Sequence, residues 1–100
     1  MIDRQRIEGF EWDQGNARKN EKHGVTQAEA EQIFVNQPLL LLPDEEHSHS
    51  ELRFHALGKT NEGRLIHISF ILRDNGTRIR IISARAMHRK ERSIYGQETS

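Results

Sequence analysis

Six residues of this chain carry side chains that could together cut a phosphodiester. Two lie near the start of the chain and four in its second half: Lys22, His23, Glu51, Arg53, Arg73 and Arg80. Arginine and lysine neutralise phosphate charge, and histidine or glutamate can move a proton near neutral pH. Cleavage of a phosphodiester needs both functions, so these residue types favour a nuclease if the fold brings them together.

RNA suits such a set because its ribose 2′-hydroxyl can act as an internal nucleophile, and no metal ion is then needed. The protein must remove the hydroxyl proton, neutralise the phosphorane and protonate the leaving 5′-oxygen. His23 or Glu51 could be the base, and Lys22 or His23 could be the acid or a further cation. The three arginines would clamp the phosphorane.

Length and composition predict one domain over residues 1–100, with flexible ends at about 1–8 and 97–100. The chain contains no cysteine, which excludes disulfides and cysteine-ligated metal sites. Its longest apolar run, Leu39 to Leu42, is too short to cross a bilayer, and no signal peptide is evident. We therefore expect a cytoplasmic protein that needs no cofactor or metal and does not contact a membrane.

The formal net charge of zero conceals a strong asymmetry along the chain. Residues 1–72 contain eight Lys/Arg against twelve Asp/Glu, whereas residues 73–92 contain seven against two. Clustered arginines indicate a phosphate or carboxylate partner. A solvated basic surface without a ligand would have the same composition, so charge alone leaves both interpretations open.

The first half of the chain predicts a short strand and two helices. Phe10 and Trp12 have the spacing of a strand, and a helix from about Gln14 to His23 would end at Gly24. A second helix begins at the capping box of Thr26 and Glu29 and ends before Pro38. Residues 39–42 fit either a short strand or a packed loop.

From Glu51 onward the apolar residues recur at every second position, which predicts a three-stranded antiparallel meander. Asn75-Gly76 predicts a tight hairpin turn, and a last helix is expected from about Ala84 to Tyr95, ending at Gly96. The expected buried face consists of Leu52, Phe54, Ile66, Ile68, Phe70, Leu72, Ile79 and Ile81. The expected polar face consists of Glu51, Arg53, His55, His67, Ser69, Arg73, Arg78 and Arg80. The fold class is α+β.

Two ordinary explanations compete with a functional site. Antiparallel sheets commonly expose one polar face to water, so a polar face alone does not identify a site. His47 and His49 could bind a metal together with the neighbouring acidic residues 44–46, but a solvated surface turn explains that segment better.

Two motifs near opposite ends of the chain add a resemblance to this reasoning. They are Lys22-His23-Gly24-Val25, preceded by Trp12-Asp13, and Arg80-Ile81-Ile82-Ser83-Ala84-Arg85, followed by Glu91-Arg92 and Tyr95. In this order and spacing the chain resembles the BrnT-type toxins of bacterial type II toxin–antitoxin systems from Phe10 to Tyr95. Other matching positions are Asn20, Glu29-Ala30, Phe34, Glu51, Arg53, Gly58 and Arg73.

The resemblance implies a RelE-like fold and a metal-independent endoribonuclease that inhibits translation. It also implies a BrnA-like antitoxin that neutralises the toxin and binds operator DNA, so that the toxin meets DNA only through its partner. The matching positions imply that Arg85 works beside the six residues above. Residues expected to bind RNA are Arg78, Arg85, His55 and His67.

The chain departs from the family pattern at Ile71, where relatives often have threonine. A lost hydroxyl on the polar face would lower activity or change the preferred RNA sequence. A second hypothesis is a non-catalytic binding module, whose basic patch would bind an acidic protein partner or RNA without cutting it. A degenerate toxin that acts only with its antitoxin in repression would be one such case. New RNA ends would distinguish the first hypothesis from the second.

Overall fold

The computed structural model describes residues 4–15, 18, 21, 23–48 and 50–100, with only the backbone of Arg4. The described residues form five strands, β1 to β5, two α-helices with assigned bounds, α1 and α2, and a short 3-10 helix at Arg4–Arg6. The strands are Gly9–Glu11, Leu40–Pro43, Arg53–Lys59, Leu65–Arg73 and Arg78–Ala86. The helices are Gln27–Val35 and Arg89–Glu98. No helix in the described part of the chain is long and apolar enough to cross a membrane.

The strands form one sheet in the order β1-β5-β4-β3-β2. The expected meander is present as β3, β4 and β5, and β2 extends it antiparallel to β3. Residues 39–42, left open between strand and loop, therefore contribute mainly to an edge strand. At the other edge, β1 pairs parallel to β5 and places Phe10 beside Ile79. The sheet thus adds two strands to the predicted meander: the short strand expected at Phe10 and the segment left open at residues 39–42.

Helix α1 covers the apolar face of the sheet. It begins as predicted, because the Thr26 hydroxyl accepts a hydrogen bond from the Glu29 amide and the Glu29 carboxylate accepts one from the Thr26 amide. Phe34 then packs edge-to-face on Phe70, with ring centres 5.3 Å apart. Gly58 permits this approach of helix to sheet, since a Cβ there would lie 3.0 Å from that of Ile33.

Helix α2 covers part of the opposite face, and the predicted start of this helix was wrong. Residues 84–86 continue β5, where Ala84 pairs with Ile68 and Ala86 with Ile66. Pairing with β4 overrides the helical pattern here, and the helix begins only after His88. It also runs through Gly96 to Glu98 instead of ending there. Tyr95 packs against Leu57 as part of a second, smaller apolar cluster.

Two further expectations needed correction in the strands and turns. Leu52 was assigned to the buried face, but it precedes β3 and is 71% exposed. The predicted hairpin at Asn75-Gly76 is present, but its loop spans residues 74–77 between paired Arg73 and Arg78. Asp74, Asn75 and Gly76 all have positive φ, so the turn is longer than the expected two-residue type.

A β-bulge in β5 interrupts its pairing with β4. Ser69 pairs with Ser83 and Phe70 pairs with Ile81, which leaves Ile82 without a partner on β4. The bulge keeps Arg80 and Arg85 on the same face although they are five residues apart, a spacing that regular alternation would divide between the two faces.

The helix expected over residues 14–23 lies partly outside the described residues. Positions 14, 15, 18 and 21 have helical backbone. Gly24 follows with φ of 76° and donates its amide hydrogen to the Glu21 carbonyl at 2.9 Å. Gly24 therefore ends this segment in the left-handed conformation that the sequence predicted.

Candidate active site

A cleft of about 420 Å³ opens on the polar face of the sheet, where β3 begins and β4 ends. We call it the polar cleft. Its lining residues are His47, Ser50, Glu51, Arg53, Ile71, Arg73, Arg80 and Ile82. Four of the six residues predicted to be catalytic thus surround one cavity, contributed by three strands and by the loop between β2 and β3.

The register of the sheet brings the three arginines of the cleft together. Ile71 on β4 pairs with Arg53 on one side and with Arg80 on the other. Arg73 lies two residues further along β4, so its side chain projects from the same face. Three guanidinium groups from three adjacent strands therefore surround a space suited to a phosphate.

Carboxylates orient two of these arginines. Arg73 Nη1 donates to Glu51 Oε2 at 3.2 Å, and its Nε lies 4.0 Å from Glu11 Oε2. Arg80 Nη2 lies 3.4 Å from Asp13 Oδ2. The Arg53 guanidinium, by contrast, makes no hydrogen bond or ion pair with the described part of the chain. Among the described residues the cleft therefore has two arginines held by carboxylates and a third, Arg53, without such a partner.

His47 lines the polar cleft, and sequence reasoning assigned it no catalytic role. Its Nδ1 lies 3.0 Å from Asp44 Oδ2, and its backbone amide donates to Asp44 Oδ1 at 3.2 Å. Aspartate side chains in turns often accept a hydrogen bond from the backbone a few residues later. The Asp44-x-x-His47 spacing is therefore the sequence signal that could have placed His47 next to Asp44.

Asp44 is 6% exposed and also contacts a second histidine, since His55 Nε2 lies 3.2 Å from its Oδ2. His55 Nδ1 lies 2.9 Å from His67 Nε2. Because an ionised carboxylate only accepts hydrogen bonds, His55 donates to it from Nε2, and Nδ1 of His55 can accept from Nε2 of His67. His67 Nδ1 is then a buried acceptor without a hydrogen bond from the described residues. Hydrogen bonds thus connect the cleft loop to the interior of the polar face.

Burial and neighbouring groups shift the pKa values of His67 and Asp44, the two ends of this chain of contacts. Burial, and then the positive charge of Arg85, lower the pKa of His67 to about 4, so it is neutral at physiological pH. Burial raises the pKa of Asp44, but the hydrogen bond from His47 and the charge of His55 together lower it below its ordinary value. The buried Asp44 carboxylate therefore stays ionised next to Nδ1 of His47.

The residues expected to bind RNA lie outside the polar cleft. Arg85 forms a two-pronged ion pair with Glu91 at 2.7 and 2.8 Å, which joins β5 to α2. Burial raises the pKa of Glu91, but hydrogen bonds from Arg85 and the His88 amide lower it to about 2. His67 is 6% exposed, and Arg78 contacts the Phe10 carbonyl at 3.2 Å and Asp74 at 3.8 Å.

Of the two remaining predicted catalytic residues, the structure describes only His23. His23 is exposed at the turn before Gly24 and does not line the cleft, and Lys22 lies outside the described residues. His49 also lies outside them, so the weighed pairing of His47 with His49 is not described. Across the ranges that the structure describes, no group of three or more His, Asp or Glu side chains could hold a metal ion.

A larger groove of about 680 Å³ lies on the α1 side of the sheet, between β1, β2 and α1. Its lining is mainly apolar and includes Phe10, Phe34, Leu41 and Phe70. It lacks the combination of cations, carboxylate and imidazole that the polar cleft has. We therefore take the polar cleft, the smaller of these two cavities, as the candidate active site because its side chains can bind phosphate and transfer protons.

The fold and cleft define a small α+β protein whose sheet presents an arginine-lined cavity suited to a phosphodiester. Residues 12–91 match the family model described as the ribonuclease toxin BrnT of type II toxin–antitoxin systems. The chain therefore belongs to the BrnT family of ribonuclease toxins, which confirms the resemblance seen in its motifs. Membership of a type II system also implies a protein antitoxin as its partner.

A solved structure supports the fold. The chain is similar to the Brucella abortus ribonuclease toxin BrnT, known from a 1.1 Å crystal structure, with 21% sequence identity and a TM-score of 0.61. The match covers 81% of this chain and 97% of the other. At this identity the similarity establishes the shared architecture. No curated protein matches the chain in sequence.

Proposed function

We propose that this protein is a RelE-like, metal-independent endoribonuclease that cleaves RNA through the ribose 2′-hydroxyl. The observation that carries the proposal is the convergence of Arg53, Arg73 and Arg80 with Glu51 on one cleft. Guanidinium groups stabilise the dianionic phosphorane more than the ground-state phosphodiester, which is the requirement for catalysis. Family membership adds the class of substrate, because the family is described as ribonuclease toxins.

Glu51 is the group we propose as the general base. Its Oε2 lies 3.2 Å from Arg73 Nη1, and this contact holds the carboxylate at the cleft. Arg73 would then serve twice, because it orients the base and also neutralises charge on the phosphorus. His23, the other candidate base, lies outside the cleft lining. Lys22 and His23 stay predictions from the sequence, with contact to the RNA backbone as their proposed role.

The proposal extends to the cellular setting that the family implies. RNA cleavage would inhibit translation in the cytoplasm, and a BrnA-like antitoxin would neutralise the toxin by covering the polar cleft. The antitoxin would carry the DNA-binding activity, so the toxin would reach the operator only within the complex. The charge of the cleft supports this, because three arginines favour an acidic partner surface as well as RNA.

The decisive experiment incubates the partner-free protein with end-labelled single-stranded RNA in EDTA. We expect fragments with 2′,3′-cyclic phosphate and 5′-hydroxyl ends, and a rate about 100-fold lower for Arg73→Ala. Arg89→Ala, an exposed arginine in the first turn of α2, is the matched control. Intact RNA with folded protein would contradict the proposal and favour the non-catalytic binding module.

Ile71 gives a second test. It is 7% exposed and lies in the cleft between Arg53 and Arg80, at the position where the family resemblance implies a threonine. Ile71→Thr is expected to raise the cleavage rate several-fold, on the order of one neutral hydrogen bond to substrate. Rates and product patterns on one RNA give the measurement, with Ile71→Val as the control for shape. Equal rates and patterns for wild type and both variants would show that the hydroxyl is unimportant.

A further inference from the structure

Of the two ring nitrogens of His47, the described residues contact only Nδ1. Nδ1 contacts the Asp44 carboxylate, while Nε2 makes no hydrogen bond with the described residues. The side chain is 55% exposed and lines the polar cleft beside Glu51 and Arg53. This arrangement leaves Nε2 able to exchange a proton with a substrate bound in the cleft.

Hydrogen bonds fix the position of Asp44, which in turn holds the His47 ring. Its amide donates to the Arg53 carbonyl at 2.8 Å, and its own carbonyl accepts from the Ser48 hydroxyl at 2.6 Å. The same hydroxyl accepts from the Arg53 amide at 2.8 Å. These bonds close the loop that carries His47 onto the start of β3. The Asp44 carboxylate is therefore fixed with respect to the arginines of the cleft.

Burial makes the carboxylate effective. Asp44 is 6% exposed, and its contacts from the His47 amide, the His47 ring and the His55 ring all come from donors. A carboxylate held against Nδ1 selects the tautomer with the proton there and stabilises the imidazolium that results when Nε2 is also protonated. An imidazolium with Nε2–H in the cleft is the form that a general acid needs.

We propose that His47 is the general acid of the cleavage step and that Asp44 is its positioning residue. This inference rests on the proposed ribonuclease function. The 2′-oxygen attacks phosphorus, and Glu51 takes its proton. The bond from phosphorus to the 5′-oxygen breaks, and that oxygen takes the Nε2 proton of His47. The products are a 2′,3′-cyclic phosphate and a 5′-hydroxyl, and the two protein groups exchange protonation states.

The acid role can be isolated by changing the leaving group. Once the wild-type cleavage site is mapped, two oligonucleotides of that sequence are made, one normal and one with sulfur replacing the scissile 5′-oxygen. A thiolate leaves without protonation because a thiol is far more acidic than an alcohol. Single-turnover rates in EDTA on both substrates are compared for wild type, His47→Ala, Asp44→Asn, Arg73→Ala and Glu46→Ala.

We expect His47→Ala to cleave the oxygen substrate about 100- to 1,000-fold more slowly than wild type and the sulfur substrate within about fivefold of it. Asp44→Asn should lose about 10- to 100-fold on oxygen with the same rescue by sulfur, because it acts through His47. Arg73→Ala should be slow on both substrates, since the phosphorane charge is present in each. Glu46→Ala changes an exposed residue of the same loop and should match wild type.

Three outcomes would overturn the inference. An unchanged rate for His47→Ala on the oxygen substrate removes the acid role, and an equal loss on both substrates shows that His47 acts on binding or folding instead. If circular dichroism shows that Asp44→Asn is folded but sulfur does not rescue it, Asp44 does not act through His47. A wild-type protein that cleaves neither substrate contradicts the proposed function itself.

Discussion

Replacing Arg53 by alanine is expected to slow RNA cleavage by about 100- to 1,000-fold while leaving the fold intact. Arg53 lines the polar cleft, and its guanidinium has no partner among the described residues. Its removal therefore takes a cation from the phosphorane without breaking an ion pair that supports the structure. Cleavage rates in EDTA and a thermal unfolding curve provide the two measurements.

Arg89→Ala is the matched control for this experiment. It removes the same side chain from an exposed position and should keep its rate within about threefold, while both variants keep a melting temperature within about 4 °C of wild type. Arg53→Lys would separate charge from shape, because a lysine keeps the charge but lacks the planar fork. Equal cleavage by the Arg53→Ala and Arg89→Ala variants would remove Arg53 from the active site.

Acidification between pH 6.5 and 4 is expected to cost the folded protein on the order of 3 kcal/mol through His67 alone. The folded-state pKa is about 4, against 6.5 in the unfolded chain, so the unfolded state binds more protons throughout this window. The contribution is complete above pH 6.5 and is lost as pH falls towards 4. Urea unfolding at intervals between pH 7 and pH 4 measures it.

Four charged or titratable groups act on the pKa of His67. They are His55 on β3, Arg85 on β5, His88 just before α2, and Glu91 on α2. Glu91 contributes mainly at the acidic end of this window, because its stabilisation is lost as pH falls below its ordinary pKa of 4.5. His67→Leu should flatten the fall in unfolding free energy, whereas His23→Gln at an exposed position should not. An equally steep fall for His67→Leu would assign the acid sensitivity to other groups.

Alternation along the strands explains why much of the cleft was predictable. A buried face of Phe54, Ile68 and Phe70 requires Arg53, Ile71 and Arg73 to project from the other side, whatever surrounds them. Pairing of adjacent strands then brings side chains from three strands together. The helix that begins at Thr26 was predictable for a similar reason, since its capping box is a local interaction within four residues.

Features that depend on distant contacts were not predictable. The late start of α2 depends on pairing of residues 84–86 with β4, which local propensity does not report. The position of His47 depends on a loop fixed by Asp44 and by hydrogen bonds to Arg53, and periodicity gives no information about loops. The parallel pairing of β1 with β5 joins residues almost 70 positions apart. Such contacts come from the whole fold.

The bulge in β5 has a consequence for how sequences of this family should be aligned. Ile82 is the extra residue, so a relative that lacks it would have a regular strand with its arginines still facing the cleft and its apolar residues still facing α1. A one-residue deletion at this point would therefore leave every other side chain of β5 on its present face of the sheet. The same deletion elsewhere in β5 would move side chains from the core to the cleft face and the reverse. When a homologous sequence is one residue shorter in this strand, the alignment gap should be placed at Ile82. Such a homologue would lack only the part of the polar cleft that Ile82 lines.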